Sequence, residues 1–227
     1  MEARGMTKRE TVMVATFPFM ALSLLHHVYS GALYAVAPAL FWTADAVRFI
    51  AIPALAWLLV LRPAGIGAGE VGLGPLRSRH PDEFWGMVVF IPLLVVAVTW
   101  PVLLVSSRYG IDGGGAFSVH QALPRGGLGK ALTALYLSAT AGLVEEVVWR
   151  GLPWLYFSAV VPLPYRRFAY VLATSIVFAM AHVEQGPGGV FAAFWFGLVA
   201  AGLYSKLRTL WPLILGHVAV DWMAFAL

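Results

Sequence analysis

The chain has 227 residues, 60% of them hydrophobic and 11% charged, against roughly 25% charged in an ordinary soluble domain. With a mean hydropathy of +0.81, this composition excludes a soluble enzyme, a disordered tail and a secreted disulfide scaffold. The absence of cysteine removes thiolate metal sites, disulfides, thiol nucleophiles and S-palmitoylation together, and the net charge of +4 sits beside apolar spans, where it speaks for orientation in a bilayer rather than for nucleic acid.

The apolar runs are too long and continuous for the alternating strands of an outer-membrane barrel and read as helices. The first, residues 11 to 30, follows Arg4, Lys8 and Arg9 and stays apolar too long for a cleaved leader, so a transmembrane helix is expected. A second is expected over 42 to 61, with residues 31 to 41 either extending it or forming a re-entrant piece. Residues 62 to 83, rich in glycine and containing Arg77, Arg79 and His80, read as a membrane-surface loop with room for a short amphipathic piece. After a third span at 84 to 106 comes a second glycine-rich surface loop, 107 to 129. Four further spans are expected at 130 to 158, 168 to 183, 190 to 205 and 210 to 226. The expected fold is an all-α polytopic bundle of seven transmembrane helices, or eight with one more half-helix, forming a single transmembrane domain over residues 1 to 227.

The Lys and Arg residues divide unevenly about these spans. Arg4, Lys8, Arg9, Arg62, Arg77, Arg79, Arg166, Arg167, Lys206 and Arg208 fall on the side of the N-terminus, Arg108, Arg125 and Lys130 on the other, and Arg48 and Arg150 within spans. Ten against three predicts a cytoplasmic N-terminus and a C-terminus outside.

Six ionisable residues stand where an apolar span should have none: Glu145, Glu146, Arg150, His182, His217 and Asp221. At a helix centre an Asp or Arg costs roughly 2.5 to 3.5 kcal/mol, so these residues need partners, a cavity or a function. Glu146 and Arg150 are four apart, which puts acid before base on one helical face in the favourable order for an ion pair. Glu145 is turned by about 100° from its neighbour, which predicts one carboxylate paired and the other free to face a cavity as a general base. Phe178 and His182, and likewise His217 and Asp221, are also i, i+4 pairs. At about 1.5 Å per residue, Glu145, His182, His217 and Asp221 fall near one central layer of a core about 30 Å thick.

At these three motifs, Glu145-Glu146-Val-Val-Trp-Arg150, Phe178-Ala-Met-Ala-His182 and His217-Val-Ala-Val-Asp221, the sequence resembles the type II CAAX prenyl endopeptidase and bacteriocin-processing family of intramembrane glutamic proteases, also called the abortive-infectivity family. The stretch Gly197 to Asp221, with Gly202, Tyr204 and Trp211-Pro212, is also similar, so the resemblance covers residues 130 to 227. It implies hydrolysis of a peptide bond by a water molecule, with Glu145 as general base, His182 holding that water, and His217 and Asp221 facing the carbonyl oxygen. Glu146 and Arg150 fit the ion pair that fixes the helix. The family pattern has Asn or Asp at the last position; an ionised Asp only accepts hydrogen bonds, so Asp221 either carries a proton or orients His217, the second being preferred. No metal or other cofactor is implied. Zinc is the sharper rival, since two His and two carboxylates suit it, but there is no His-Glu-x-x-His.

Blander readings apply elsewhere. His26 and His27 are assigned to helix-end or packing roles, His80 and His120 to loops without a role, and Phe191, Phe194, Trp195 and Phe196 to lipid or interhelical packing, with a substrate groove as the other reading. The expected partner is a membrane-tethered peptide or protein in a plasma membrane of bacterial type, the lipid bilayer being the other; no nucleic acid is expected, and oligomeric state is open. Three functions compete: an intramembrane glutamic endopeptidase acting on CAAX-type substrates, leader peptides or C-terminal sorting signals; a non-proteolytic membrane protein such as a bacteriocin self-immunity factor; and a proton-coupled transporter, since buried Glu and His also form proton relays.

Overall fold

A computed structural model describes residues 7–75, 81–110 and 118–226. Arg4, Arg77, Arg79 and His80 lie outside these residues, and the side chains of Lys8, Arg9, His26 and His27 are likewise outside the description. The described residues form seven long helices and no strand: α1 Lys8–Val36, α2 Pro38–Leu61, α3 Pro81–Tyr109, α4 Gly127–Val160, α5 Leu163–Met180, α6 Gly186–Leu207 and α7 Trp211–Ala226. Four segments are long and apolar enough to cross a membrane, namely α2, Val89–Tyr109 of α3, α4 and Val183–Leu207, which contains α6; α7 is a shorter apolar helix. The molecule is an all-helical integral membrane protein.

The ends of the helices follow from local chemistry. Thr7 and Glu10 close a capping box on α1, with the Thr7 amide donating to the Glu10 carboxylate at 2.7 Å and the Glu10 amide to the Thr7 hydroxyl at 3.2 Å. The residue before a proline is pushed out of the helical region, and Ala37, before Pro38, is extended and ends α1. Of residues 31 to 41, 31 to 36 therefore finish the first helix while 38 to 41 extend the second, and no re-entrant piece forms there. Val161, before Pro162, ends α4 in the same way.

One end of the bundle is basic. Arg62, Arg166, Arg167, Lys206 and Arg208 lie there, as does the start of α1 with Lys8 and Arg9, while Arg108, Arg125 and Lys130 lie at the other. The segment 62–75, expected as a surface loop, is docked into this basic end. Ile66 and Val71 are buried with Val12, Leu61 and Leu152, the Leu210 amide donates to the Gly72 carbonyl at 2.9 Å, and the Trp211 indole donates to the Gly74 carbonyl at 2.9 Å. Gly72 has φ +91°, and a Cβ on it would stand 2.8 Å from the Tyr204 ring, so glycine satisfies both the backbone and the packing. At the opposite end the Tyr34 hydroxyl donates to the Gln121 carbonyl at 2.6 Å and Lys130 to the Ala226 carbonyl at 3.0 Å.

The middle is held by small residues that let backbones approach, as expected where lipid offers no hydrophobic contrast. Gly142 of α4 sits against Val218 and the Ile214 carbonyl of α7, Gly216 of α7 against Leu94 of α3, and Gly197 of α6 against Ser175 of α5. The aromatic core of Trp149, Trp154, Tyr170, Phe178, Phe196 and Tyr204 fills the space between α4, α5 and α6.

Candidate active site

A cavity of about 700 Å³ lies among α1 to α7, and Glu145, Phe178, His182, His217 and Asp221 are all in its wall. Glu146 and Arg150, the other two members of the motifs, are buried behind it, at 0% and 1% exposure.

The ion pair expected between Glu146 and Arg150 is present at 3.3 Å, but Glu146 has a second partner. Its Oε1 is 2.8 Å from Nδ1 of His217, which donates to it. A single buried carboxylate thus joins α4 to α7 and sets the rotation of the His217 ring. Asp221 lies on the other ring nitrogen, Oδ2 to Nε2 at 3.4 Å, on the side where its own carboxyl is partly exposed. The tighter grip on His217 comes from Glu146, which the i, i+4 spacing assigns to Arg150 alone.

His182 is not in mid-helix. α5 stops at Met180, and His182 has φ −107° and ψ 13° at the head of a short 3-10 turn, Val183–Gln185, before Gly186 and Pro187 start α6. Its Nδ1 is 2.8 Å from the Phe178 carbonyl. A carbonyl can only accept, so Nδ1 carries the hydrogen and the lone pair of the neutral ring is on Nε2. This gives Phe178 a definite place in its motif: its carbonyl fixes the tautomer of His182, its ring packs on that imidazole with centroids 4.6 Å apart, and the Arg150 guanidinium lies 4.4 Å over the same ring. Such a cation over an aromatic face is attracted by the ring quadrupole. Phe196 does the same from α6, 5.1 Å from Arg150 and 4.6 Å from the His217 ring. Of the four aromatics assigned to packing, Phe196 is therefore at the cavity, while Trp195 donates its indole N–H to the Ala97 carbonyl of α3 at 3.0 Å.

Glu145 is not the free carboxylate that the sequence predicts. It faces the cavity, but Arg48 of α2 donates to its Oε1 from Nη2 at 2.9 Å, with both side chains about 95% buried. Asp45, one turn before Arg48, accepts from the Tyr136 hydroxyl at 3.0 Å and also lines the cavity. So does Glu184, which accepts from the Gly31 amide at 2.8 Å. Reading the sequence by motif missed Asp45, Arg48 and Glu184. The signal was available for the first two: an acid and a base three residues apart inside a span that is otherwise apolar meet the same criterion that singled out the motif residues. His120, in a 3-10 turn, is exposed with its ring 6.1 Å from Phe225.

Residues 127–223 match the family described as type II CAAX prenyl endopeptidase, Rce1-like. Over this segment, which is less than half of the chain, the sequence is similar to that family. The Rce1-like segment contains all three motifs and the whole of the Glu146, Arg150 and His217 network, while Asp45 and Arg48 come to the site from outside it. No curated protein and no solved structure matches the chain.

Proposed function

We propose that the protein is an intramembrane endopeptidase of the glutamic type, crossing a bacterial plasma membrane seven times with its N-terminus cytoplasmic, and that it cleaves a membrane-tethered peptide or protein. The observation that carries this reading is the convergence of Glu145, His182, His217 and Asp221, from three parts of the chain, on one cavity inside an apolar bundle. Glu145 takes a proton from a water molecule as the oxygen attacks the scissile carbonyl carbon. His182 holds that water through the lone pair of Nε2. The negative charge that develops on the carbonyl oxygen is met by Nε2–H of His217, which as an imidazolium donates from both ring nitrogens, and the proton held by Glu145 passes to the departing amine, so that water is consumed and two chain ends result. Arg48 positions Glu145 and is displaced from it, or shared with the substrate, before the carboxylate acts.

The test is cleavage in liposomes of membrane-anchored peptides by the purified protein and by Glu145→Gln. Loss of the general base is expected to slow turnover about 10²- to 10⁴-fold; cleavage at the parent rate by the variant would refute the role. The pairing of Glu145 with Arg48 favours one second reading, a non-proteolytic membrane protein such as a self-immunity factor, in which the pair is purely structural. A cellular function that survives both Glu145→Gln and His182→Ala selects that reading.

A further inference from the structure

The cavity and the cationic charge lie toward opposite ends of the bundle. None of the cavity's wall comes from 57–75, 152–166 or 203–213, the segments that build the basic end. Its wall instead includes Phe41, Val119, Gln185 and Phe225, which lie near the chain reversals at Ala37 and Gly186 and the 3-10 turn Val119–Ala122. At that end lie three Lys or Arg residues, Arg108, Arg125 and Lys130, against seven among the described residues at the other. An excess of Lys and Arg in short loops marks the cytoplasmic face. An arginine also rests on an aromatic face at the basic end, Arg208 lying 4.1 Å over Trp154, the arrangement expected of a side chain at a membrane interface.

From these two distributions we infer that the catalytic cavity opens on the non-cytoplasmic face of the membrane, and that its substrates are polypeptide segments already translocated to that side. This rests on the endopeptidase reading for the word substrate, though the direction of opening does not. The substrate class follows from the walls. Phe49, Val98, Val102 and Leu103 present apolar surface in the cavity that Glu145 lines, so the segment taken in has apolar residues near the scissile bond, as the exported flank of a membrane anchor or a leader peptide does. A cytoplasmic chain end would have to pass the basic end, which the docked 62–75 segment fills with Ile66 and Val71.

The chain has no cysteine, so a single introduced thiol reports its own position. Gln121→Cys places one beside the cavity mouth, and Leu163→Cys places one at the exposed start of α5, at the basic end, without changing any charge. Right-side-out bacterial membrane vesicles are treated with a membrane-impermeant maleimide, with and without detergent. The expected result is labelling of Gln121→Cys in sealed vesicles and labelling of Leu163→Cys only after detergent. The reverse pattern, or equal labelling of both in sealed vesicles, overturns the inference. Labelling does not depend on catalysis, so the outcomes separate: the reverse pattern with cleavage that requires Glu145 rejects the face alone, and the expected pattern without such cleavage rejects the endopeptidase reading alone.

Discussion

The contact between Arg48 and Glu145 makes the sharpest quantitative prediction. Replacing Arg48 by Met keeps an unbranched stem of similar length and removes the charge, leaving the Glu145 carboxylate buried, with 4% of its side chain exposed, opposite an apolar group. Breaking a buried pair by removing one partner costs about 3 to 5 kcal/mol. For a chain of this length each kcal/mol corresponds to roughly 2 to 4 °C in Tm, so Arg48→Met is expected to melt about 6 to 20 °C below the parent. Because the cost is that of an uncompensated charge, neutralising the other side recovers much of it: the double variant Arg48→Met with Glu145→Gln should melt above Arg48→Met alone, with a coupling of about 0.5 to 3 kcal/mol. Thermal melts in detergent micelles, followed by the fluorescence of the nine tryptophans, measure all four corners of the cycle. If Arg48→Met melts with the parent, or the double variant shows the plain sum of the two single losses, the pair contributes nothing and Arg48 does not hold Glu145 in place.

Asp221→Asn tests the charge beside His217. Since Glu146 already fixes the ring at 2.8 Å and Asp221 stands at 3.4 Å, the amide is expected to keep activity within about tenfold, or 1.4 kcal/mol of barrier; complete loss in a cleavage assay would show that the charge itself is needed. Gly151→Ala places a Cβ 2.5 Å from the Val71 carbonyl oxygen, a backbone atom that cannot swing aside, and is expected to destabilise by about 1 to 3 kcal/mol. Gly202→Ala, in the helical interior of α6 with nothing within 4 Å of the new carbon, is the control and should be neutral or gain up to about 1 kcal/mol. Chelation is expected to leave cleavage unchanged when peptide turnover is measured before and after dialysis against EDTA.

The helices and the three motifs were legible because both are local patterns. A run of apolar residues long enough to cross a bilayer specifies its own backbone hydrogen bonding, and residues four apart share a face whatever the rest of the chain does. What escaped the sequence depends on contacts between distant segments. Glu146 was legible as a partner of Arg150 because the two are on one helix, but its bond to His217 spans 71 residues, and nothing in either motif says that α4 and α7 are adjacent. The same holds for Glu145 and Arg48, 97 residues apart. The docking of the 62–75 loop escapes the sequence for a related reason. Its glycines do mark turns, but Ile66 and Val71 between them are the anchors, and apolar residues in a glycine-rich segment become informative only once the pocket that receives them is known.

His182 shows a third kind of failure, in which the correct pair was put on the wrong local structure, and prolines explain a parallel feature of α2 and α4. Three π turns interrupt these helices, at Val47–Ala51, Trp57–Leu61 and Val147–Gly151, and each ends two residues before a proline, Pro53, Pro63 and Pro153. A proline has no N–H to give and its ring presses on the carbonyl four residues back, here those of Phe49, Leu59 and Trp149. Widening the preceding turn to bonds of the i to i−5 kind, as from Leu152 to the Val147 carbonyl, relieves that pressure without breaking the helix. Pro92 and Pro101 lie within α3 with no such turn described there, so proline permits the widening rather than dictating it. Two of the three widened turns contain the arginines of the site, Arg48 and Arg150, and π turns recur at functional positions because the extra residue re-aims the side chains around it. Face assignments made at 100° per residue are therefore least secure at these arginines, and the site's charge pairing depends on prolines that belong to none of its motifs.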